Sequence, residues 1–332
     1  MNRHVDWSFQ VKHIMGRTVA LSAAVITTAL VLAGCGTAAS STDATSETSE
    51  SAVSELTIEH AQGETVLEGV PETVVTFDMA SLDTLDTLGV PVAGLPQDNL
   101  PDYLEKYSGA DYQNMGTLFE PDYEAVNAAE PDLIIVANRS SEAYAELSKI
   151  APTIDLTLDW EDYLGSFTQN VETLGEVFDK TAETDAALEE VSSKIGEAQS
   201  VAGDAGTGLI VMTSAGEITA YGPGSRFGWL HDELGLEPAV ADVEAETHGD
   251  PVSNEFLLET NPDWLFVIDR DAAVGESGSA NAREVLDNEV VAESTAWSED
   301  QVVYLDPVPW YIVMSGLTAV NNMVDSVIDG LS

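Results

Sequence analysis

Past residue 54 the chain alternates polar and apolar residues from 56 to 70, the pattern of a two-stranded hairpin. It then settles into a rhythm of short β-branched runs, turns and amphipathic stretches. Runs at 74–78, 92–95, 132–137 (DLIIVA) and 153–158 predict strands. The spacing at 81–88, from Pro121-Asp122 through Ala129, and at 141–149 predicts helices, the last capped by Ser140 or Ser141. Strands that alternate with helices imply a parallel sheet covered on both faces.

From Tyr163 to about Ala202 the pattern is helical, rich in Ala, Glu, Leu and Val, free of proline and interrupted near Lys180-Thr181. Beyond Gly203 the rhythm returns. A strand at 208–213, a hairpin to Ala220-Tyr221, helices at 227–234 and 254–259, a strand at 264–268 (WLFVI), a helix at 280–286, a strand at 302–305 and a last helix to Leu331 are expected. The phrase from Glu120-Pro121-Asp122 through Pro131-Asp132-Leu133-Ile134-Ile135-Val136 has an echo in Asn254-Glu255-Phe256-Leu257-Leu258 and Pro262-Asp263-Trp264-Leu265-Phe266-Val267. Each reads as a short helix, Pro-Asp and a buried strand, one unit used twice. The fold class expected is α/β: two lobes with central parallel-type sheets, bridged by one long helix.

The first 35 residues bear on location. Arg3, Lys12 and Arg17 make a basic leader, and the uncharged run 19–33 is 15 residues long, too short for a comfortable membrane span. It reads as the apolar part of a signal peptide. Leu32-Ala33-Gly34-Cys35 resembles the bacterial lipobox, in which the cysteine takes a diacylglyceryl group and becomes the mature N-terminus. Two acyl chains at roughly 0.8 kcal/mol per buried CH₂ give stable membrane attachment without a spanning helix. Ten of the 19 residues from 36 to 54 are Ser or Thr, a composition that buries little and reads as a tether. The organisation expected is a lipoprotein signal peptide at 1–34, a tether at 35–54, an N-terminal α/β lobe at 55–160, a helical region with the bridging helix at 161–204, and a C-terminal α/β lobe at 205–332.

Charge narrows the partners. Eleven Lys and Arg against 59 Asp and Glu give −48, which excludes nucleic acid as a main partner because phosphate neutralisation needs clustered cations. The acidity reads mainly as solubility and avoidance of anionic surfaces. One cysteine allows no internal disulfide and no cysteine-based zinc cluster.

Against that background the arginines stand out. Once the leader is gone only four remain, and three follow a predicted strand or hairpin directly: Arg139 after LIIVAN, Arg226 after TAYGPGS and Arg270 after WLFVID. In open α/β sheets ligands bind outside the carboxyl ends of strands, so the three point at one crevice between the lobes. Guanidinium forks suit carboxylate, phosphate or catecholate oxygens, and an anionic ligand is expected. The plain alternative is that each arginine pairs with one of the many acids on the surface. Arg283, inside a predicted helix, reads as a surface residue.

His248, in the loop Thr247-His248-Gly249-Asp250 between Arg226 and Arg270, and Tyr311, after VVYLDP, are the next candidates. Trp310 is counted with Tyr311 among possible ligand contacts, although aromatics there more often pack in a core. No pair of the five histidines has zinc-motif spacing, and Ser225 lacks the Gly-x-Ser-x-Gly elbow of a nucleophile. Nor is there a phosphate-binding Gly-x-x-x-x-Gly-Lys loop.

In the phrases Gly222-Pro223-Gly224-Ser225-Arg226-Phe227-Gly228, His248-Gly249, Phe266-Val267-Ile268-Asp269-Arg270-Asp271 and Tyr304-Leu305-Asp306-Pro307 with Trp310-Tyr311, the chain resembles the bacterial siderophore-binding lipoproteins of ABC importers. The branch it resembles takes up ferric catecholate ligands of the enterobactin, bis-catecholate and petrobactin type, and the likeness runs from Val74 to the C-terminus. The resemblance implies a helical-backbone periplasmic-binding-protein fold, no catalysis and no intrinsic cofactor, with Fe(III) carried as its siderophore complex. It implies that Arg139, Arg226 and Arg270 form a positive tripod around that complex. It also implies that His248 and Tyr311 coordinate iron when a tetradentate siderophore leaves two sites empty. Glu124 and Glu255, matching positions of the echoed phrases, would be the acids that dock on the permease. One departure stands out: Gln97 follows Gly94-Leu95-Pro96 where relatives often carry a lysine, so a fourth cation is missing.

The function expected is therefore that of a monomeric binding lipoprotein, anchored through Cys35 on the outer face of the cell membrane. It would deliver ferric catecholate-type siderophore to an ABC permease and its ATPase. The same fold holding haem, a cobalamin or a hydroxamate siderophore is the alternative, and a neutral hydroxamate would leave the arginines little to do. An extracellular hydrolase using Ser225 with His248 is a third reading.

Overall fold

The computed structural model describes residues 55–240, 243, 249–276, 278 and 280–332. The leader, Cys35, the tether and His248 lie outside the described residues. The hairpin forms as its alternation dictates: β1 (Glu55–His60) pairs antiparallel with β2 (Gly63–Glu68), with Ile58 and Leu67 on the buried face. Its turn docks on the first sheet, the Ala61 amide and the Gln62 side chain both donating to Asp155 at 3.1 Å.

The first sheet contains β3 (Val74–Thr76), β4 (Gly94–Leu95), β5 (Gln113–Asn114), β6 (Leu133–Val136) and β7 (Thr153–Asp155), ordered β5-β4-β3-β6-β7 and parallel throughout. Every residue of β3, β6 and β7 is buried, as a sheet covered on both faces requires. The second sheet holds β8 (Thr207–Ser214), β9 (Glu217–Tyr221), β10 (Glu237–Pro238), β11 (Asp250–Val252), β12 (Trp264–Asp269) and β13 (Val302–Tyr304). Its path is β11-β9-β8-β12-β13, with β10 on β8; β9 and β11 join antiparallel because β9 returns through a tight hairpin.

Between the sheets the expected helical stretch is two helices, Tyr163–Val177 and the 22-residue Thr181–Ala202. The break falls where the pattern predicted it, at left-handed Asp179, φ 54°, and Lys180. Thr181–Ala202 spans about 33 Å. It packs along the last helix, Leu317–Gly330, with Lys194 and Asp325 paired at 2.7 Å. No described helix is long and apolar enough to cross a membrane.

The echoed phrases are one structural unit used twice, at a constant offset of 131 positions (132 to 263, 139 to 270). Asp122 and Ser253 cap the short helices Tyr123–Ala128 and Asn254–Thr260. Left-handed Glu130 and Asn261, φ 47° and 45°, stand before Pro131 and Pro262. The Asp132 carboxylate then accepts from the Glu72 and Thr73 amides at 3.0 Å, and Asp263 accepts from the Thr207 amide at 2.8 Å. Each aspartate thereby sets the register of its strand against the neighbour, β6 on β3 and β12 on β8.

Two local expectations are corrected. The segment expected to start a helix at 141 turns earlier, because left-handed Asn138 (φ 46°) opens a 3₁₀ stretch, Asn138–Ala143, straight after β6. Neither serine caps the short α-helix Tyr144–Leu147; the Ser140 hydroxyl accepts from the Ala137 amide and donates to the Phe77 carbonyl. Between β13 and the last helix lies a π-helical turn, Val308–Val313, that no periodicity announced.

Candidate ligand-binding site

Arg139 stands two residues past the β6 turn residue Ala137, Arg270 directly follows β12, and Arg226 follows β9 through a turn closed by the Ser225 hydroxyl on the Gly222 carbonyl at 2.6 Å. The first comes from one sheet and the other two from the second, yet all three converge on Tyr311 in the π-helical turn. Their guanidinium carbons lie 5.3, 4.8 and 5.8 Å from the ring centre for Arg139, Arg226 and Arg270. Such contacts contribute about 0.5–2 kcal/mol each.

Hydrogen bonds fix the arrangement. Arg139 donates to the carbonyls of Tyr311 at 2.6 Å and Ile312 at 3.2 Å, while Arg226 reaches the Tyr311 carbonyl at 3.4 Å and lies against the Met314 sulfur and the Phe227 ring. Arg270 Nε donates to the Tyr311 hydroxyl at 3.1 Å. Arg226 Nε is buried and has no partner. Among the described residues only Arg270 of the three has ion pairs, with Asp271 at 3.5 Å and Glu276 at 3.6 Å. Simple pairing with surface acids therefore accounts for one arginine of the three.

The electrostatics follow from this crowding. Burial, reinforced by the Arg139 charge, pushes Arg226 down to about 10, and burial also lowers Arg139; both stay cationic at neutral pH. Burial alone would raise the Tyr311 phenol, but the Arg270 hydrogen bond and the three guanidinium charges outweigh it and hold the phenol below its ordinary value. The Tyr311 hydrogen bond raises Arg270 in turn. A half-buried cluster of three guanidinium groups, of which only Arg270 has a carboxylate at ion-pair distance among the described residues, offers donors suited to an anion, and its polarised phenol offers a hard oxygen.

The remaining candidates separate. Trp310 is a correction: it is 1 % exposed and turned into the core, stacked on Trp229 at 5.3 Å, which stacks on Tyr163 at 5.0 Å. A π-helical turn places neighbouring residues on different faces, so Tyr311 meets the arginines while Trp310 does not. Residue 248 is undescribed, but Gly249, left-handed at φ 65°, has no room for a Cβ against the Ala220 carbonyl, at the end of β9 that leads to Arg226. Glu124 and Glu255 are both exposed in the first turns of their matched helices. Ser225 is 2 % exposed with its hydroxyl committed to Gly222, unsuited to nucleophilic attack. Gln97 donates to the carbonyls of Tyr107 and Tyr112, holding the 3₁₀ segment Asp102–Ser108 rather than serving a ligand. Arg283 is exposed and covers the Tyr304 ring at 4.3 Å. Sequence reasoning did not single out Met314 or Phe227 as site residues; Phe227 entered it only within the Gly222–Gly228 phrase.

Two α/β lobes joined by helices, with a cation cluster where the strand ends of both lobes meet, make the architecture of an extracytoplasmic solute-binding protein. The family model described as periplasmic binding protein matches residues 74–309, and the chain belongs to that family. It is 40% identical over 311 residues to the petrobactin-binding protein YclQ of Bacillus subtilis, covering 92% of this chain and 96% of that one. The crystal structure of YclQ superposes with a TM-score of 0.81 at 42% identity, covering 84% of this chain and 99% of that one. The ferric-anguibactin-binding protein FatB of Vibrio anguillarum is 34% identical over 281 residues, 83% of this chain and 87% of FatB. The catecholate-siderophore binding protein VctP of Vibrio cholerae gives a TM-score of 0.79 at 36% identity, covering 82% and 99% of the two chains.

Proposed function

We propose that this chain captures a ferric catecholate-type siderophore outside the cell membrane and delivers it to an ABC permease for iron uptake. The observation that carries the reading is the cluster of Arg139, Arg226 and Arg270 around Tyr311, two of the three with no carboxylate at ion-pair distance among the described residues. Each charge-assisted bond to an anionic complex is worth about 1.5–3 kcal/mol. A neutral hydroxamate complex would leave that charge unmatched, and the names of YclQ and VctP favour the catecholate class.

In this reading Tyr311 and His248 complete the coordination of the cargo where a tetradentate siderophore leaves two iron sites open. A phenol already held below its ordinary value releases its proton to solvent readily when its oxygen coordinates Fe(III). Glu124 and Glu255, one per repeat, meet the permease. Cys35 carries the lipid, residues 36–54 form the tether, and the protein works as a monomer. The test is tryptophan quenching titrated in parallel with ferric bis-catecholate, tris-catecholate, petrobactin, hydroxamate and haem. Sub-micromolar response to catecholate complexes is expected; response to hydroxamate or haem alone would replace the ligand class.

A further inference from the structure

At two helix N-termini that have no capping side chain of their own, a carboxylate distant in sequence fills the role. Helix Leu317–Gly330 begins after Gly316, and Asp83, from the helix Met79–Thr87, accepts its Thr318 and Ala319 amides at 3.2 and 2.7 Å. Helix Tyr163–Val177 takes the Glu233 carboxylate from the C-terminal end of the short helix Trp229–Asp232, and its oxygens accept the Leu164 amide at 3.0 and 3.1 Å.

The Asp83 cap leads straight to the ligand cluster. Gly316, at φ 108°, leaves no room for a side chain: a Cβ there would lie 2.6 Å from Asp83 Oδ2 and 2.8 Å from the Ala80 carbonyl. Two residues earlier Met314 is left-handed at φ 63°, its carbonyl held by the Tyr163 hydroxyl at 2.6 Å and its sulfur against Arg226. Then comes Tyr311, whose carbonyl receives Arg139 and Arg226. Asp83 itself is fully buried and has no hydrogen bond or ion pair to any of the three arginines.

We propose that Asp83 is a positioning residue for ligand binding: by capping helix Leu317–Gly330 from the helix Met79–Thr87 it fixes the Met314–Gly316 turn, and through it the Tyr311 carbonyl that aims Arg139 and Arg226. The inference deepens the siderophore reading and rests on it for the affinity measurement alone. Loss of the cap lets the turn relax and the guanidinium groups lose their common focus.

The experiment compares wild type with Asp83→Ala, Asp83→Asn and a control, Val327→Ala, which opens a core cavity near the far end of the same helix. With ferric bis-catecholate as probe, Asp83→Ala is expected to bind about tenfold more weakly, or about 1.4 kcal/mol. Asp83→Asn, which keeps one acceptor oxygen, is expected to lose about threefold. The charge-transfer absorbance of the bound complex should shift in both, and Val327→Ala should melt earlier without either change. Equal affinity in the folded Asp83 variants, or an equal loss in Val327→Ala, overturns the proposal. If Asp83→Ala does not fold, Asp83→Asn decides. Nitrogen-15 spectra of the unliganded proteins form a ligand-free arm: the Arg139 and Arg226 Nε–H resonances should move in the Asp83 variants and stay in Val327→Ala. Unmoved resonances overturn the proposal even if wild type fails to bind the probe, an outcome that would fell the siderophore reading separately.

Discussion

Burial makes Asp83 costly to ionise. Its carboxyl is pushed up to about 6 from the ordinary 3.8, chiefly by desolvation, with the Thr318, Ala319 and Tyr103 hydrogen bonds only partly offsetting it. At 1.36 kcal/mol per pH unit that gap corresponds to about 3 kcal/mol. The folded state holds the proton more tightly than the unfolded chain, so this group's contribution to stability is complete below about pH 4 and is lost as pH rises through 6. Asp83→Asn removes the titration and leaves the neighbouring Tyr103, Asp86 and Asp306 in place. Urea unfolding of both proteins from pH 4.5 to 7 should show wild type losing about 2 kcal/mol relative to the variant over that range. The rest of the loss lies below pH 4.5. Parallel stability curves would refute the reasoning, because they would mean that Asp83 ionises alike in the folded and unfolded chain.

Three further outcomes are expected. Arg226→Ala and Arg139→Ala should each weaken a ferric catecholate complex by roughly 10- to 150-fold in quenching titrations, from about 1.5–3 kcal/mol per charge-assisted bond; unchanged affinity would remove the tripod. In an alkaline titration followed by tyrosinate absorbance, the lowest-titrating phase should lie below the ordinary tyrosine value and vanish in Tyr311→Phe, since the guanidinium charges favour the phenolate. Trp310→Ala should cost about 3–5 kcal/mol of stability by emptying a core position, measured by chemical unfolding, with affinity in the folded fraction nearly kept.

The strands and the repeat were legible because buried parallel strands read as unbroken apolar runs, and because Pro-Asp before each run marks a side chain that ties two strands together. The three arginines were legible for a different reason: cations are scarce in this chain, so their shared place after strands is informative. What was not legible depends on turns wound outside the ordinary periods. The π-helical turn decides that Tyr311 faces the cluster and Trp310 the core, and a hydrophobicity pattern carries no trace of it. Asp83 was invisible for the same kind of reason. In sequence it is one acid of 59, and only the glycine 233 positions later shows what its carboxylate is for.

The arginine cluster sits half-buried in a chain of formal charge −48, and this bears on the kinetics of capture. An approaching anion first meets the repulsion of the whole molecule and feels the guanidinium groups only at close range. At low ionic strength the far field slows encounter; near 0.15 M salt, with a Debye length of about 8 Å, the repulsion is screened while short-range contacts to the half-buried guanidinium groups keep most of their strength. For an anionic ligand the association rate should therefore rise with salt before it falls, the reverse of ordinary electrostatic steering.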